Sequence, residues 1–289
     1  MILITGATGH LGRATAQYLL QKTASSNIAV LVRDVAKAAD LAAQGVDVRE
    51  GDYNDVASLV KAFTGIDKLF FVSGNDVQHR LGQQANVVAA AKTAGVKHIV
   101  YTSFQRKNET ETSPIYFIAK SHLNTEALLK DSGITYTILK HGLYMDILPM
   151  FIGDKVLETG TIFQPAGTGR AAFTLRADMA EAAANILTTS GHDNKSYDIS
   201  GSTSYSYQEV ADGISEITGK KIAYVSPTQE VFHQELSKAG VPSEYIGMFG
   251  AFNEAIRQGE FDMMDTTLEK LLGRKSTPLK DYLKTVYSN

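Results

Sequence analysis

Ile2-Leu3-Ile4-Thr5-Gly6-Ala7-Thr8-Gly9-His10-Leu11-Gly12 opens the chain, and the fold turns on how this stretch is read. A short apolar, β-branched run leads into three glycines, and an amphipathic stretch from Leu11 to Lys22 then reads as a helix. At such a strand-to-helix turn Gly6 permits the tight bend, Gly9 lets backbone approach a bound group, and Gly12 lets the helix pack close to the strand. The helix start would present free N–H groups and a positive dipole end, which suits a pyrophosphate. A glycine triplet alone also fits a tight turn with nothing bound. Its place between a strand and a helix, at the head of a β-α series, favours a dinucleotide.

Outward from this loop, apolar runs recur at Ile28 to Val32, Val46 to Val48, Leu69 to Val72, Ile99 to Thr102 and Tyr136 to Leu139. Helical patterns lie between them at Val35 to Ala43, Asp55 to Phe63, Leu81 to Ala94 and Phe117 to Lys130. Gly45, Gly65, Gly95 and Gly133 follow several of these helices, where a left-handed stop is expected. Continuous apolar runs suit strands buried on both faces. The alternation over residues 1–141 predicts an α/β fold: a Rossmann-type doubly wound parallel sheet that binds NAD(P) at the carboxyl ends of its strands. After Gly142 the rhythm changes. Phe151 to Gly169 is rich in turns and aromatics, a helix is expected near Asp178 to Thr188, a strand near Tyr197 to Ser200, and further helices from Tyr207. Residues 142–289 read as a smaller, mainly helical substrate-binding cap with a soft boundary, segments near 170–200 returning to the sheet domain.

The chain has 289 residues, which at roughly 150 per domain makes one large or two fused domains. With 44% hydrophobic and 20% charged residues it is an ordinary folded composition. The 28 Lys and Arg against 31 Asp and Glu leave a net charge of −3, no bulk field for nucleic acid or an anionic membrane. The lack of Cys excludes disulfides, thiolate metal sites and cysteine nucleophiles, and fits a reducing compartment. No metal site is expected. The opening residues lack a basic segment followed by a long apolar stretch, so a cytoplasmic location is the default expectation.

The second strand ends in Val30-Leu31-Val32-Arg33-Asp34. An acid here would hold the ribose 2′-hydroxyl of NAD, whereas an arginine offers its planar fork to the 2′-phosphate of NADP. Arg33 therefore points to NADPH over NADH, unless it is a surface residue paired to Asp34 or to nothing. Asp52, in Gly51-Asp52-Tyr53, suits either the adenine amine or a helix cap near Asn54 and Asp55. Cofactor contacts are expected from Gly6, Thr8, Gly9, His10, Leu11, Gly12, Arg33, Asp52 and Tyr53, and from Phe71, Val72, Ser73, Thr102, Ser103 and His122.

Through Gly6, Gly9 and Gly12 the chain resembles the short-chain dehydrogenase superfamily. Over nearly its whole length it is similar to the NmrA-like atypical branch, through Thr5-Gly6-Ala7-Thr8-Gly9, Leu31-Val32-Arg33, Gly51-Asp52-Tyr53, Ala94-Gly95-Val96-Lys97-His98, Tyr101-Thr102-Ser103, Ser132-Gly133-Ile134 and Thr174-Leu175-Arg176-Ala177-Asp178. The resemblance implies an NADPH-dependent reductase of quinones or triphenylmethane dyes. The branch also resembles regulators that bind the dinucleotide without turnover, which keeps a redox-sensing role open.

Tyr116-Phe117-Ile118-Ala119-Lys120 fits the superfamily's Tyr-x-x-x-Lys pattern, with Ser103 upstream. The serine would orient a carbonyl, the tyrosine pass the proton, and the lysine lower the tyrosine pKa. Pro114 stands close before Tyr116, however, and a second register competes. In many extended members an acid follows the lysine by four residues, and here Glu126 follows His122 in that way. The resemblance to the reductases likewise implies histidine there and no tyrosine. The two registers differ by about 200° around a helix, so they cannot both face the cofactor. The second is favoured, with His122 toward the nicotinamide ribose, although His122 could also be a surface residue pairing with Glu126. A quinone makes the question less pressing, since hydride transfer needs mainly a well-positioned flat acceptor and water can supply the proton. Its pocket would be apolar and aromatic, from Phe71, Phe104, Leu143, Tyr144, Met145 and Phe151, for each of which core packing is the competing reading. A nucleotide-sugar epimerase or reductase would require Tyr116, Lys120 and a basic cap. The expected partner is a small aromatic molecule or quinone, and oligomeric state stays open.

Overall fold

Apolar runs become strands here because both of their faces are covered. The computed structural model describes residues 1–288. It begins β1 (Ile2–Ile4), α1 (His10–Leu20), β2 (Ile28–Val32), α2 (Ala39–Ala43), β3 (Asp47–Glu50), α3 (Val56–Phe63), β4 (Lys68–Phe71), α4 (Arg80–Ala94), β5 (His98–Phe104), α5 (Tyr116–Asp131) and β6 (Thr135–His141). It continues α6 (Leu148–Ile152), α7 (Val156–Thr159), β7 (Thr161–Phe163), β8 (Arg170–Ala171), α8 (Arg176–Thr188) and β9 (Lys195–Ile199). The remainder is β10 (Tyr205–Ser206), α9 (Tyr207–Thr218), β11 (Ala223–Val225), α10 (Gln229–Lys238), α11 (Ser243–Arg257), α12 (Thr267–Leu272) and α13 (Leu279–Tyr287).

Seven strands form one sheet in the order β3-β2-β1-β4-β5-β6-β9, every pair parallel. Side-chain alternation divides each strand between two layers. Leu3, Leu31, Leu69, Phe71, Ile99, Tyr101 and Ile138 share a core with α3, α4 and α5, whereas Ile4, Val30, Phe70, Val100 and Leu139 share one with α1 and α8. Burial of each such side chain contributes roughly 1.5–3 kcal/mol. Because α8 and β9 complete this sheet, the chain crosses to the cap after β6, returns for Arg176–Ile199, and leaves again. The cap has its own core, with Phe151, Ile162, Tyr207, Phe252, Phe261 and Leu283 among its buried members.

Local chemistry sets the element ends. Asp55 caps α3 by accepting from the N–H groups of Ala57 (3.0 Å) and Ser58 (3.2 Å). The stretch expected as one helix from Val35 to Ala43 is a 3-10 turn, Val35–Ala38, followed by the short α2. The Asp34 carboxylate starts this turn by accepting from Ala36 N–H at 3.0 Å.

The order of strands reverses between β1 and β4, and the crevice above that point is where an open α/β sheet receives a ligand. Its tight floor depends on Gly12, since a Cβ there would stand 2.4 Å from the Gly6 carbonyl oxygen and 2.9 Å from that of Thr5. Gly12→Ala should therefore force α1 off the sheet and destabilise the fold by about 1–3 kcal/mol. Urea unfolding checks this, and an unchanged midpoint would refute the close packing.

Candidate functional site

At the head of α1, Gly9 is extended and offers no side-chain cap, and its own N–H is bonded to the Gly6 carbonyl (2.9 Å). The N–H groups of the first helical turn are consequently available to an anion. Gly6 has φ +63°, the left-handed turn that glycine takes without strain. From this loop a groove of about 450 Å³ runs along the strand ends. Gly6, Thr8, Gly9, His10, Leu11, Gly12, Arg33, Asp52, Tyr53, Val72, Ser73 and Tyr144 all line it.

At one end of the groove Arg33 makes no side-chain hydrogen bond or ion pair among the described residues. Asp34 is turned away into its own cap at Ala36. Asp52 accepts from the Asn54 N–H (2.7 Å) and Nδ2 (2.9 Å), closing a local turn, while Asp55 caps the helix. The Tyr53 hydroxyl donates to the Val72 carbonyl (2.8 Å), Val72 N–H to Thr5 Oγ1 (2.9 Å) and Ser73 N–H to Thr102 Oγ1 (2.9 Å). These bonds hold the chain leaving β4 against its neighbours.

Several residues expected at the site are buried. Phe71 is fully buried between the rings of Tyr53 (5.7 Å) and Tyr101 (5.1 Å) on the helix-covered face, so its side chain does not reach the groove. Thr102 and Ser103 are also buried, and the Ser103 hydroxyl, expected to orient a carbonyl, instead donates to Glu126 Oε1 at 2.5 Å. Leu143, Met145 and Phe151 are packed into the cap core. Phe104 is half-buried, stacked on the His122 ring at 6.0 Å and 27° and edge-on to Phe252 and Phe261.

Helix α5 decides the register of the acid-base candidates. Tyr116 is its first residue and half-buried, and Lys120 faces solvent, so this pair does not form an inward proton relay. His122 and Glu126 face inward and are 3% and 5% exposed. They do not pair with each other. Glu126 holds Arg106 through two bonds of 2.9 Å. Burial raises the Glu126 pKa, but the bonds from Arg106 and Ser103 outweigh it and leave the carboxyl below its ordinary range. His122 Nε2 meets Arg80 Nη1 at 3.0 Å, and Nδ1 meets the Tyr101 hydroxyl at 2.6 Å. Arginine can only donate, so Nε2 accepts and the proton sits on Nδ1, donated to Tyr101. Burial first, and then the charges of Arg80 and Arg106, hold the imidazole neutral well below its usual pKa. Both nitrogens are thus committed.

Two arginines at this end were not singled out from the sequence. Arg176 lines the groove, bonds Asp146 through Nε (2.7 Å) and lies over the Tyr144 ring (5.2 Å). Arg80 is almost wholly buried behind His122. Each heads its helix, where the dipole disfavours a cation, and for Arg80, whose first turn holds no acid, that misplaced charge is the signal that could have found it. Beside them His141 is buried against Tyr144 with neither ring nitrogen bonded.

The NmrA-like family pattern matches residues 1–286. Quinone oxidoreductase 2 of Escherichia coli is 36% identical over 288 residues, covering 100% of this chain and 99% of that one. Its solved structure as an NADPH-dependent quinone oxidoreductase complexed with NADPH covers 100% of both chains with a TM-score of 0.93. The triphenylmethane reductase of Citrobacter sp., solved with NADP(H), is 40% identical over 99% of both chains with a TM-score of 0.91. An NAD(P)H azoreductase from Xenophilus azovorans is 31% identical, covering 98% of this chain and 97% of that one.

Burial lowers the His141 pKa from 6.5 to about 3. The unfolded chain then takes this proton first, so its contribution to stability is full above pH 6.5 and is lost as pH falls toward 3. His141→Leu should flatten the acid side of the stability profile by up to about 1.4 kcal/mol per pH unit. Urea unfolding between pH 7 and 4 measures the slope, and a slope equal to wild type would contradict the assignment.

Proposed function

The chain belongs to the NmrA-like family, and from that premise we propose that it is an NADPH-dependent oxidoreductase passing hydride to a quinone or a similarly flat electrophile, acting in the cytoplasm. One observation carries the cofactor half of this reading: a single groove joins the uncapped head of α1 to the unpaired Arg33. These are the two anion-binding elements a 2′-phosphorylated dinucleotide needs, and the crowded Gly6–Gly12 turn lets its phosphates approach backbone. Bound NADPH would supply the hydride. The chain's own part is to hold, orient and shield. The first turn of α1 would take the pyrophosphate and Arg33 the 2′-phosphate, with Tyr53, Val72 and Ser73 forming the wall beneath.

For the acceptor, the relatives that act on quinones, azo compounds and triphenylmethane dyes support a small aromatic substrate. The site supports it too, since Tyr144 offers an aromatic face to the groove and no inward Tyr–Lys pair is available to protonate an alkoxide. A quinone does not need such a pair, because the oxygen that gains charge can take its proton from water. The exposed Lys120 speaks equally against a sugar epimerase.

Oxidation of NADPH by a small quinone panel, followed at the nicotinamide absorbance, tests turnover directly. No quinone-dependent loss would overturn the reading. Arg33→Ala should weaken NADPH by roughly tenfold to a hundredfold, the worth of about 1.5–3 kcal/mol for charged hydrogen bonds, and leave NADH nearly unchanged. Equal losses for both cofactors in a binding titration would mean that Arg33 does not read the phosphate. Tyr116→Phe should keep quinone reduction within about threefold of wild type, whereas a collapse by about 10² with binding intact would restore a side-chain acid.

A further inference from the structure

A buried cation without a counter-ion stands behind the wall of the groove, between lining residues Asp76 and Gln83 in the chain. Arg80 opens α4 just after the groove-lining stretch 73–76, and one turn before Gln83, which lines the groove as well. It is 5% exposed. Nη1 is bound to His122, Nε has no partner, and no carboxylate lies within ion-pair distance among the described residues. Asp76, the carboxylate whose charge reaches it, is engaged with His79 at 2.9 Å. A buried charge with no partner is costly, and the start of a helix is the worst end for a cation. Such a residue makes sense where an anion, or an atom that becomes one, completes the site.

Its neighbours indicate what that atom belongs to. The charge of Arg80 reaches Tyr101 and Tyr144, Tyr144 lines the groove, and Phe104 lies stacked on His122. The unpaired cation thus lies next to the groove-lining Tyr144, and Phe104 stacks on the same His122 that holds it.

We propose that Arg80 is a catalytic residue whose guanidinium donates to the acceptor oxygen that becomes negative during hydride transfer, and that His122 is the positioning residue that aims it. This inference rests on the reductase reading above. In the reaction a C–H bond of the reduced nicotinamide breaks and its hydride, carrying both electrons, bonds to the quinone. The transferred hydrogen ends on one carbonyl oxygen, the nicotinamide is oxidised and the quinone reduced, and the new negative charge settles on the other carbonyl oxygen, which faces Arg80. Water then protonates that oxygen to give the hydroquinone, and Arg80 keeps its own protons throughout. His122 can accept from Arg80 only while neutral, and its burial keeps it so.

The two acceptor classes of the relatives respond differently to this cation. A quinone gains an oxyanion, whereas a cationic triphenylmethane dye merely loses its charge on taking hydride. Wild type, Arg80→Met and Arg80→Lys are assayed with NADPH on a small benzoquinone and on a cationic triphenylmethane dye. Loaded with NADP⁺, each is also titrated with 4-nitrophenol, whose absorbance distinguishes phenol from phenolate without turnover. The ratio of quinone to dye kcat/KM should fall about 10²-fold in Arg80→Met, the usual loss on removing an oxyanion donor, and recover partly in Arg80→Lys. Bound nitrophenol should ionise at lower pH in wild type than in Arg80→Met. Equal losses on both acceptors, an unchanged ratio, or unchanged ionisation of the phenol would overturn the proposal. Arg80→Lys gives the same comparison if the Met variant does not fold. Should wild type reduce neither acceptor, the reductase reading fails, while the nitrophenol titration still decides whether Arg80 faces a bound oxygen.

Discussion

The buried ion pair between Arg106 and Glu126 anchors helix α5 to the sheet. Glu126 on α5 takes both 2.9 Å bonds from Arg106 and the Ser103 hydroxyl, and Arg106 also bonds the Phe104 carbonyl at 2.8 Å. One carboxylate thereby ties α5 to the end of β5 and to the loop that follows it. Removing Arg106 would strand the buried Glu126 charge, typically at about 3–5 kcal/mol, whereas Arg106 also pairs with Glu109 at 2.9 Å. The rotation of α5 is fixed by this constraint. With Glu126 inward, His122 one turn earlier must also face inward and Lys120 must face out.

What His122 meets depends on that rotation. Between the Tyr101 hydroxyl and Arg80, its imidazole has one tautomer and no spare nitrogen. His122 thus serves as a neutral spacer on α5 that holds the cation at the start of α4. This arrangement suits an acceptor that needs electrostatic help with an oxygen more than it needs a proton donor.

The cofactor half rests on separate physics. The reversal of strand order between β1 and β4 opens the crevice, and the Gly6–Gly12 turn lets α1 sit close enough to aim its first N–H groups along it. At the far end Asp34 spends its carboxylate on a local turn at Ala36, while Asp52, which lines the groove with Arg33, closes its own turn at Asn54.

Much of this was legible in the sequence. The apolar runs at Ile2–Ile4 and Ile28–Val32 became strands of the same bounds, since a strand covered on both faces must be continuously apolar. Gly45, Gly65, Gly95 and Gly133 all took positive φ, because helix ends favour a residue without Cβ. Other features were decided only by the tertiary structure. Phe71 lies one residue before Val72, which lines the groove, yet the pleat turns it into the core, and the face a side chain takes depends on what packs there. Ser103, Glu126 and Arg106 meet only because β5, α5 and the intervening loop converge in space. Arg80 and His122 are 42 residues apart, and nothing local to either records that one holds the other. Periodicity and turn chemistry are local and can be read from neighbours in the chain, whereas a buried charge is satisfied by whatever the fold brings to it.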